Sequence, residues 1–413
     1  MIKYLQSLEK FGINLGLERI NFLLAELGNP HLKFKSIHVA GTNGKGSTCA
    51  MIASILKEGG YKVGLYTSPH LFDYSERIKI NDKNISLQKF AAGLRIIRHI
   101  AENPRLKSGE LFPTLSAFAK GFGGSSEAHS GGGQCGVSTP SKECKPTVFE
   151  VLTAVAFWYF AKEKVDYAVV EVGMGGRLDA TNVIMPLVSV ITSIDLEHTA
   201  ILGRTLAKVA AEKAAIIKRG MPVITAETKP EALKVIKHNA DKNRSLLVQV
   251  SSKGEGLKTN LPGGHQKTNA ACAVAAVRLA RIKVSKQAVL KGLQKVNWPG
   301  RFQIVSKKPL TIVDGAHNPA GIKVLVETLR HKFTGRKWTF IIGAQQDKDL
   351  SSMLKLLRPA AKQVILTHSS HRNAANRNSI ALGQALKRTK QEDRVIAGSL
   401  FLAADALKCL DAD

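Results

Sequence analysis

The stretch Lys35-Ser-Ile-His-Val-Ala-Gly-Thr-Asn-Gly-Lys-Gly-Ser47 decides the fold of this chain. Residues 35–40 form a short apolar run with β-branched side chains, which predicts a buried strand. The glycine-rich segment GTNGKGS (41–47) follows, and residues 48–57 have a helical pattern. A strand, a glycine-rich loop and a helix in this order predict a phosphate-binding loop, because backbone N–H groups and the positive end of the helix attract anions.

The loop departs from the usual P-loop spacing in two ways. Val39 stands where the first glycine is expected, and Gly46 separates Lys45 from the hydroxyl group of Ser47. The ammonium group of Lys45 is still placed to reach the β- and γ-phosphates of a nucleotide. A plain glycine-rich turn is the alternative, and the position between a strand and a helix argues against it.

Strands and helices alternate through most of the chain, which predicts a mostly parallel sheet covered on both faces and thus an α/β fold. The pattern pauses near Trp298-Pro-Gly300 and then restarts with shorter strands. We therefore expect a P-loop sheet domain over 1–297 and a smaller α/β domain over 298–413. The predicted strands are 35–40, 62–67, 167–172, 188–192, 222–225, 311–313, 339–343, 363–367 and 394–397, and the predicted helices include 48–57, 149–162 and 205–218.

Residues 119–145 fit neither sheet. Their central part is rich in Gly and Ser, which cannot bury a core, so we expect a surface insertion here. The insertion ends directly before Thr147-Val-Phe-Glu150.

Length and composition indicate a folded protein with more than one core. The chain has 413 residues, of which 44% are apolar and 22% charged. It contains no run of about 20 apolar residues and no signal-peptide pattern at its start. Five cysteines occur without a CxxC pair, so neither a zinc ribbon nor a disulfide framework is indicated. We expect a cytoplasmic protein with reduced thiols and no membrane partner.

The charge is strongly positive, with 60 Lys and Arg against 32 Asp and Glu and a net charge of +28. This balance favours an anionic partner. The basic residues are nevertheless spread over the whole length, and aromatic residues total only 6%, so a nucleic-acid platform is not indicated. We predict a solvated basic surface and a site for small anions, with a nucleic-acid-binding P-loop ATPase as the alternative.

Polar residues follow several predicted strands, where open α/β sheets place their ligand-binding loops. Glu171 ends one strand beside a second glycine-rich loop, and a carboxylate there suits Mg²⁺. Ser68 and His198 follow two other strands and are candidates for phosphate or metal contacts. The alternatives are a solvated glutamate, a simple Ser-Pro turn and a structural histidine.

Three further segments carry polar residues that are candidates for the site. Lys213 lies on a predicted helix, where a surface lysine is the simpler interpretation. Residues 298–301 (WPGR) and 314–319 (DGAHNP) are rich in turn formers, and the second follows a predicted strand. Both segments are predicted to form loops that the second domain contributes to the site.

In their order along the chain, these motifs resemble the folylpolyglutamate synthase and dihydrofolate synthase family, a branch of the Mur ligases. The resemblance spans nearly the whole chain and implies a Mur-ligase-like P-loop domain followed by a Rossmann-like domain. The matching segments are LGLERI (15–20), GTNGKGS (41–47), TSPHL (67–71), ERI (76–78), TVFE (147–150), EVGMGGRLDATN (171–182), LEHTAILG (196–203), EKAAIIK (212–218), the His265 to Asn269 segment, WPGR (298–301), DGAHNP (314–319), DKD (347–349) and GS (398–399).

The resemblance implies an ATP-dependent amide ligase. In this family a pteroate or folate carboxylate takes the γ-phosphoryl group of ATP, and the amine of L-glutamate attacks the resulting acyl phosphate. A carboxylate is a poor acylating agent, and its attack on ATP brings anions together that a metal ion and a lysine must screen. The implied cofactors are ATP and Mg²⁺, with a monovalent cation also allowed, and the implied state is a monomer.

The family's ATP and metal sites carry over residue by residue. The resemblance gives Ser68, Glu171 and His198 to Mg²⁺, and it makes Lys213 a carbamylated lysine whose oxygen ligand helps to hold a second Mg²⁺. The resemblance places Asn269 at the adenine, Arg301 at the phosphates and Asp314 at the ribose. The residues that it assigns to ATP are Asn43, Gly44, Lys45, Gly46, Ser47, Asn269, Arg301 and Asp314.

The glutamate and pterin sites carry over in the same way. His317 and Ser399 correspond to positions on the glutamate side, and His317 is counted with Lys45 and Lys213 as catalytic. The residues that resemble dihydropteroate contacts of bifunctional bacterial enzymes are Ile13, Asn14, Leu15, Thr147, Val148, Phe149, Glu150, Leu178, Asp179 and Ala180.

Two substitutions and the insertion depart from the family pattern. Asn14 stands where bifunctional relatives can carry aspartate, and Glu197 replaces the aspartate that often precedes the metal-site histidine. We expect a bifunctional enzyme that makes dihydrofolate and then adds further glutamates. Either activity alone is the nearest alternative, and a cell-wall ligase of the same superfamily is a more distant one because TVFE and DGAHNP match the folate branch.

Overall fold

The computed structural model describes residues 2–103, 145–251, 257–371, 374–375 and 379–411. The predicted insertion at 119–145 lies outside the described residues except for Lys145. In the described part of the chain, the structure has two sheets and the helices that cover them, which confirms the α/β class.

The first sheet has eight strands. Six of them run parallel to their neighbours, and the short strands β3 and β4 add an antiparallel edge beside β2. In spatial order the strands are β4 (Lys83–Asn84), β3 (Ile78–Ile80), β2 (Val63–Tyr66), β5 (Tyr167–Glu171), β1 (Lys35–Ala40), β6 (Val188–Ile191), β7 (Val223–Thr225) and β8 (Leu247–Gln249).

Helices pack on both faces of this sheet. Along β5, Ala168 and Val170 join the core beneath one set of helices, whereas Val169 joins the core on the opposite face, as the two-residue period of a strand requires. The helices are α1 (Ile2–Leu8), α2 (Glu18–Glu26), α3 (Lys45–Glu58), α4 (Leu87–Glu102), α5 (Val148–Lys162), α6 (Thr199–Leu202), α7 (Leu206–Ala214), α8 (Pro230–Lys242), α9 (Gly264–Leu279) and α10 (Lys286–Lys295).

The second sheet has six strands, all parallel to their neighbours except β9, which pairs antiparallel with β10 at one edge. In spatial order the strands are β13 (Ile380–Ala381), β12 (Ala361–His368), β11 (Trp338–Ile342), β14 (Arg394–Ala397), β10 (Leu310–Val313) and β9 (Gln303–Lys307). Its helices are α11 (Pro319–Lys332), α12 (Leu350–Leu357), α13 (Leu382–Arg388) and α14 (Leu400–Asp411).

All nine predicted strands are present, and the differences lie at edges and ends. Helix α7 stops at Ala214, four residues before the predicted end, because the chain turns there. Ile216 and Ile217 continue the apolar pattern outside the helix and pack into the same core. The sequence does not predict the edge strands β3, β4, β8, β9 and β13, since short edge strands lack a long buried run. No described helix has the length and apolar character needed to cross a membrane.

Candidate active site

The glycine-rich loop joins the end of β1 to the start of α3, as predicted. Gly44 precedes the first helical residue with φ of 86°, a left-handed conformation that favours glycine. Lys45 is the first residue of α3, and its Nζ donates hydrogen bonds to the carbonyl oxygens of Gly41 at 3.0 Å and Thr42 at 3.2 Å. The loop therefore holds the lysine at the positive end of the helix, where phosphate would bind.

Lys213 comes to the same loop from α7. Its side chain is only 5% exposed, so the interpretation of Lys213 as a surface lysine is wrong. Its Nζ donates a hydrogen bond to Gly41 O at 2.9 Å. Burial, together with the charge of Lys45, lowers the pKa of Lys213 to about 7. A lysine with this pKa has a substantial neutral fraction near neutral pH.

Glu171 ends β5 with its carboxylate buried in the same region. The side chain is 4% exposed, and Oε2 accepts a hydrogen bond from Ser68 N at 3.0 Å. Burial raises the pKa of Glu171, while Lys45, the Ser68 N–H group and Arg301 oppose that increase. The alternative of a solvated glutamate is therefore wrong.

His198 lies after β6 with φ of 51° and caps the short helix α6. Burial lowers the pKa of His198, which favours the neutral imidazole that can ligate a metal. Among the described residues, no three His, Cys, Asp or Glu side chains form a group that could hold an ion by themselves. A metal here would need hydroxyl, phosphate or water ligands as well.

A cavity of about 580 Å³ lies between the loops of the two sheets. It brings together residues from distant parts of the sequence, and every predicted ATP residue lines it. The predicted site residues in its lining are Asn43, Gly44, Lys45, Gly46, Ser47, Ser68, Glu171, His198, Asn269, Arg301, Asp314, His317 and Ser399.

Asp314 joins the two loops of the second sheet to each other. Its Oδ2 accepts a hydrogen bond from Phe302 N at 2.7 Å, and its Oδ1 accepts one from Ala316 N at 2.7 Å. Arg301 is thereby held at the cavity, and burial lowers the pKa of its guanidinium group. These hydrogen bonds give the predicted ribose and phosphate residues a fixed relative position.

The ATP side also includes a polar contact from α9. A Cβ atom on Gly44 would lie 2.6 Å from Asn269 Oδ1, so only glycine allows the loop to approach this side chain. Asn269 Nδ2 donates a hydrogen bond to Gln266 Oε1 at 2.9 Å, and Gln266 Nε2 donates one to Ser47 Oγ at 3.4 Å. The adenine and phosphate candidates thus share one hydrogen-bond network.

Glu197 links the loops of the two sheets across the cavity. Its Oε1 lies 3.2 Å from His317 Nε2, 3.2 Å from Lys348 Nζ and 3.4 Å from Asn318 Nδ2. Burial would raise the pKa of Glu197, but the hydrogen bond and charge of His317, with Lys45 and Lys348, lower it well below its usual range. The carboxylate is therefore held ionised between the two halves of the site.

The pterin candidates 13–15, 147–150 and 178–180 do not line this cavity. A Cβ atom on Gly173 would lie 2.5 Å from the Phe149 ring, and Gly173 itself lines the cavity. Asp179 accepts hydrogen bonds from Met174 N and from Thr181, and burial raises the pKa of its carboxyl group. Asp179 thus shapes the loop beside Phe149.

Several residues of the site have no role predicted from sequence. Glu197, Lys348, Gln266, Asn318 and Arg19 each lie inside a quoted motif or beside an assigned residue. Their position in or beside a motif is the sequence signal that could have marked these residues as part of the site. Most of their partners are nevertheless 120 or more residues away, as with Glu197 and His317. The spacing of such pairs carries no information until the chain folds.

The two α/β sheets and the phosphate loop at the cavity define a P-loop protein of the nucleotide-binding class. Comparison with known proteins gives the same class. Residues 300–408 match the family model described as the Mur ligase, glutamate ligase domain. The chain is 37% identical to the dihydrofolate synthase/folylpolyglutamate synthase of Bacillus subtilis over 86% of this chain and 81% of that protein. It is 32% identical to the Escherichia coli protein of the same name over 100% of this chain and 95% of that protein.

Solved structures give the same class of protein. The structure of E. coli FolC in complex with DHPP and ADP matches with a TM-score of 0.83 and 30% identity, over 100% of this chain and 97% of that one. The Mycobacterium tuberculosis folylpolyglutamate synthase complexed with ADP and AMPPCP matches with a TM-score of 0.82 and 28% identity, over 100% of this chain and 98% of that one. The chain belongs to the dihydrofolate synthase/folylpolyglutamate synthase family, and it is an ATP-dependent ligase. The resemblance seen in the motifs is confirmed.

Proposed function

We propose that this chain joins L-glutamate to dihydropteroate, and further L-glutamate to the folates that result. The observation that carries the proposal is the convergence of the phosphate loop, the buried Glu171 carboxylate and the Asp314 loop on one cavity. The chain is also 37% identical to a B. subtilis protein named for both activities.

The chemistry proceeds in two transfers. A carboxylate oxygen of the pterin substrate attacks the γ-phosphorus of ATP, the bond from that phosphorus to the bridging oxygen breaks, and ADP leaves. The amine of glutamate then attacks the acyl carbon, the bond from that carbon to the phosphate oxygen breaks, and inorganic phosphate leaves. The amine gives up a proton to solvent as the amide forms. Excluding water between the two transfers protects the acyl phosphate from hydrolysis.

The phosphate loop supplies the electrostatic part of catalysis. Lys45 exchanges its hydrogen bonds with the loop carbonyls for the β- and γ-phosphates, and the N–H groups at Asn43, Gly44 and Gly46 surround the phosphate oxygens. Ser47 adds a hydroxyl group beside them. Arg301 approaches the same phosphates from the second sheet, Asp314 holds the ribose, and Asn269 contacts the adenine.

The residues present fit Mg²⁺. Glu171 offers a carboxylate oxygen and Ser68 a hydroxyl oxygen at the wall of the cavity, and oxygen is the ligand that Mg²⁺ prefers. We assign the ion to Ser68, Glu171 and His198. Magnesium would screen the repulsion between the substrate carboxylate and the phosphates.

Glu171→Gln tests the metal assignment, because it removes the charge and keeps the shape. We expect a lower rate and a higher Mg²⁺ concentration for half-maximal rate, while Glu102→Gln, on an exposed ion pair, changes neither. An unchanged Mg²⁺ titration in Glu171→Gln would move the metal site elsewhere.

Lys213 is proposed to be carbamylated. The neutral amine attacks CO₂, the new N–C bond forms, and one proton is released to solvent. The product is an anionic oxygen ligand that suits a second Mg²⁺. Its support is the burial of Lys213 beside the loop and its lowered pKa.

The remaining substrates are placed around the cavity. We assign the glutamate side to His317 and Ser399, which line the cavity, and the pterin side to residues 13–15, 147–150 and 178–180, which do not line it. We also propose a division into domains at 297/298, since α10 ends at Lys295 and the second sheet begins at Gln303. We also propose that the protein acts in the cytoplasm as a monomer and without a nucleic-acid partner.

The deciding experiment measures ADP release with ATP, Mg²⁺ and L-glutamate, in the presence of dihydropteroate, of tetrahydrofolate or of no pterin, with products identified by mass. Turnover with both pterins is expected. Turnover with only one assigns a single activity, and turnover with neither overturns the proposed substrates. ADP release that needs DNA or RNA instead would support the nucleic-acid-binding alternative suggested by the +28 charge.

A further inference from the structure

A buried ion pair joins two separate segments of the pterin side. Arg19 on α2 is 6% exposed and Glu150 on α5 is 3% exposed. Arg19 Nε lies 2.9 Å from Glu150 Oε1 and 3.0 Å from Oε2, and Arg19 Nη2 donates a hydrogen bond to the backbone oxygen of Asn14 at 2.6 Å. One guanidinium group therefore holds the 13–15 segment against the start of α5.

Glu150 is also tied to its own helix. Its Oε2 accepts hydrogen bonds from Thr147 N at 2.7 Å and Thr147 Oγ1 at 2.9 Å, which completes a capping box at the N-terminus of α5. The first turn of this helix also carries Phe149, whose ring touches the Gly173 loop at the cavity wall. Contacts thus run without a gap from Asn14 through Arg19 and Glu150 to the cavity.

Stability alone is a poor reason for such a pair. Removing two charges from water costs free energy that their attraction offsets only in part. What the arrangement does provide is one fixed geometry, because the planar guanidinium group donates in set directions. The spacing between the 13–15 segment, α5 and the cavity is therefore rigid.

Substrate length makes that spacing selective. A folate is longer than dihydropteroate by one glutamyl unit, and both must present a terminal carboxylate to the same γ-phosphate. Their pterin rings therefore cannot occupy the same place relative to the phosphate loop. We propose that Arg19 is a positioning residue that fixes the pterin pocket at the distance suited to dihydropteroate, so that it determines preference for this substrate over folates. The inference rests on the proposed function.

Arg19→Lys tests this role, since lysine keeps a charge beside Glu150 but lacks the separate Nη2 donor that bonds Asn14 O. We expect the KM for dihydropteroate to rise at least about tenfold, as loss of a hydrogen bond to a charged group implies. The KM for tetrahydrofolate should change by less than about twofold, since its ring does not use this spacing. The Kd for dihydropteroate, measured by calorimetry, should rise with its KM.

Arg394→Lys is the matched control. Arg394 is also a buried arginine, 7% exposed, and its Nη1 donates a hydrogen bond to the backbone oxygen of Leu386 at 2.7 Å, but it lies in the second sheet away from the cavity lining. This variant should leave the ratio of the two KM values unchanged. Because KM does not depend on the fraction of active enzyme, partial unfolding of either variant does not obscure the comparison.

The outcomes separate this inference from the proposed function. If wild-type protein turns over only one pterin, the bifunctional proposal fails. If wild-type protein turns over both and Arg19→Lys raises both KM values equally or neither, the positioning role is overturned. Should Arg19→Lys not fold, Arg19→Gln, which keeps an amide donor and removes the charge, must shift the KM ratio in the same direction.

Discussion

At the scale of single residues, the site depends on two lysines that share one acceptor. Lys45 and Lys213 both donate hydrogen bonds to Gly41 O, from the start of α3 and from α7. The burial of Lys213 and the repulsion between the two amines keep a large fraction of Lys213 uncharged near neutral pH. The place of Lys45 in the loop predicts its role from sequence, but the burial of Lys213 depends on how α7 packs.

Lys45→Ala should abolish ligation without unfolding the protein. Among the described residues, the Nζ of Lys45 donates its hydrogen bonds to loop carbonyls, so its loss removes phosphate screening rather than core packing. We expect ADP formation to fall at least about 10³-fold with a melting temperature within about 3 °C of wild type. Steady-state kinetics and calorimetry measure the two quantities.

Lys57→Ala provides the control for this variant. Lys57 lies at the other end of α3 and pairs with Asp82 on the surface. Its removal should leave turnover intact. Wild-type turnover in Lys45→Ala would refute the assignment of the phosphate loop.

The pH dependence of Lys213 gives a second test at this scale. Only the unprotonated amine reacts with CO₂, and a pKa lowered to about 7 makes that form increase as pH rises through 7. With ¹³C-bicarbonate, a carbamate signal in the NMR spectrum should grow from pH 6 to pH 8 and be absent in Lys213→Arg. A signal that is the same in Lys213→Arg, or that grows only near the usual lysine pKa of about 10.4, would contradict the assignment.

At the scale of elements, the central parallel strands were predictable and the edges were not. Strands such as β1 and β5 are buried on both faces, and their buried positions are mostly apolar, with Ser36 and His38 as polar exceptions in β1. Edge strands such as β9 have only partly buried and exposed positions, so they lack the buried apolar run that marks a central strand. The end of α7 was not predictable from sequence either, because a turn ends the helix while the apolar pattern continues.

Gly44→Ala tests the junction between the loop and α3. The substitution adds strain at φ of 86° and places a Cβ atom 2.6 Å from Asn269 Oδ1. We expect a loss of stability of about 1–2 kcal/mol, from the left-handed backbone, together with weaker binding of ATP. Thermal unfolding and nucleotide titration measure these two effects.

Gly60→Ala separates strain from contact. Gly60 follows the other end of α3 with φ of 89°, and nothing lies within 4 Å of the place that a Cβ atom would take there. The variant should lose similar stability with no change in ATP affinity. Equal ATP affinities for the two variants would show that the approach of Asn269 to Gly44 does not matter for the nucleotide.

At the scale of the whole molecule, ligation depends on two sheets meeting at one cavity. Glu197 follows β6 of the first sheet and holds His317, Asn318 and Lys348 from loops of the second. Asn318 Nδ2 also donates a hydrogen bond to Asn43 Oδ1 at 3.1 Å. These contacts hold the loops of the two sheets together at the cavity.

Glu197→Ala should loosen this arrangement. It removes the carboxylate that His317 and Lys348 share and leaves Lys348 paired with Asp347 at 3.3 Å, so we expect kcat/KM for ATP to fall at least about tenfold. Small-angle scattering of the unliganded protein should give a larger radius of gyration. Arg336→Ala, which breaks an ion pair with Asp393 within the second sheet's unit, should change neither value. An unchanged radius with unchanged kinetics in Glu197→Ala would remove Glu197 from the link between the two sheets.

The α/β class, the phosphate loop, the central strands and the order of the family's motifs were all predictable from the sequence alone. Each of these depends on neighbouring residues: an apolar run, a glycine at a turn, or a side chain at the end of a strand. The burial of Lys213, the contact of Glu197 across the two sheets and the pairing of Arg19 with Glu150 could be found only in the folded chain. These properties depend on groups brought together from distant parts of the chain, and the charge, burial and hydrogen bonds of a residue are fixed by what surrounds it in space.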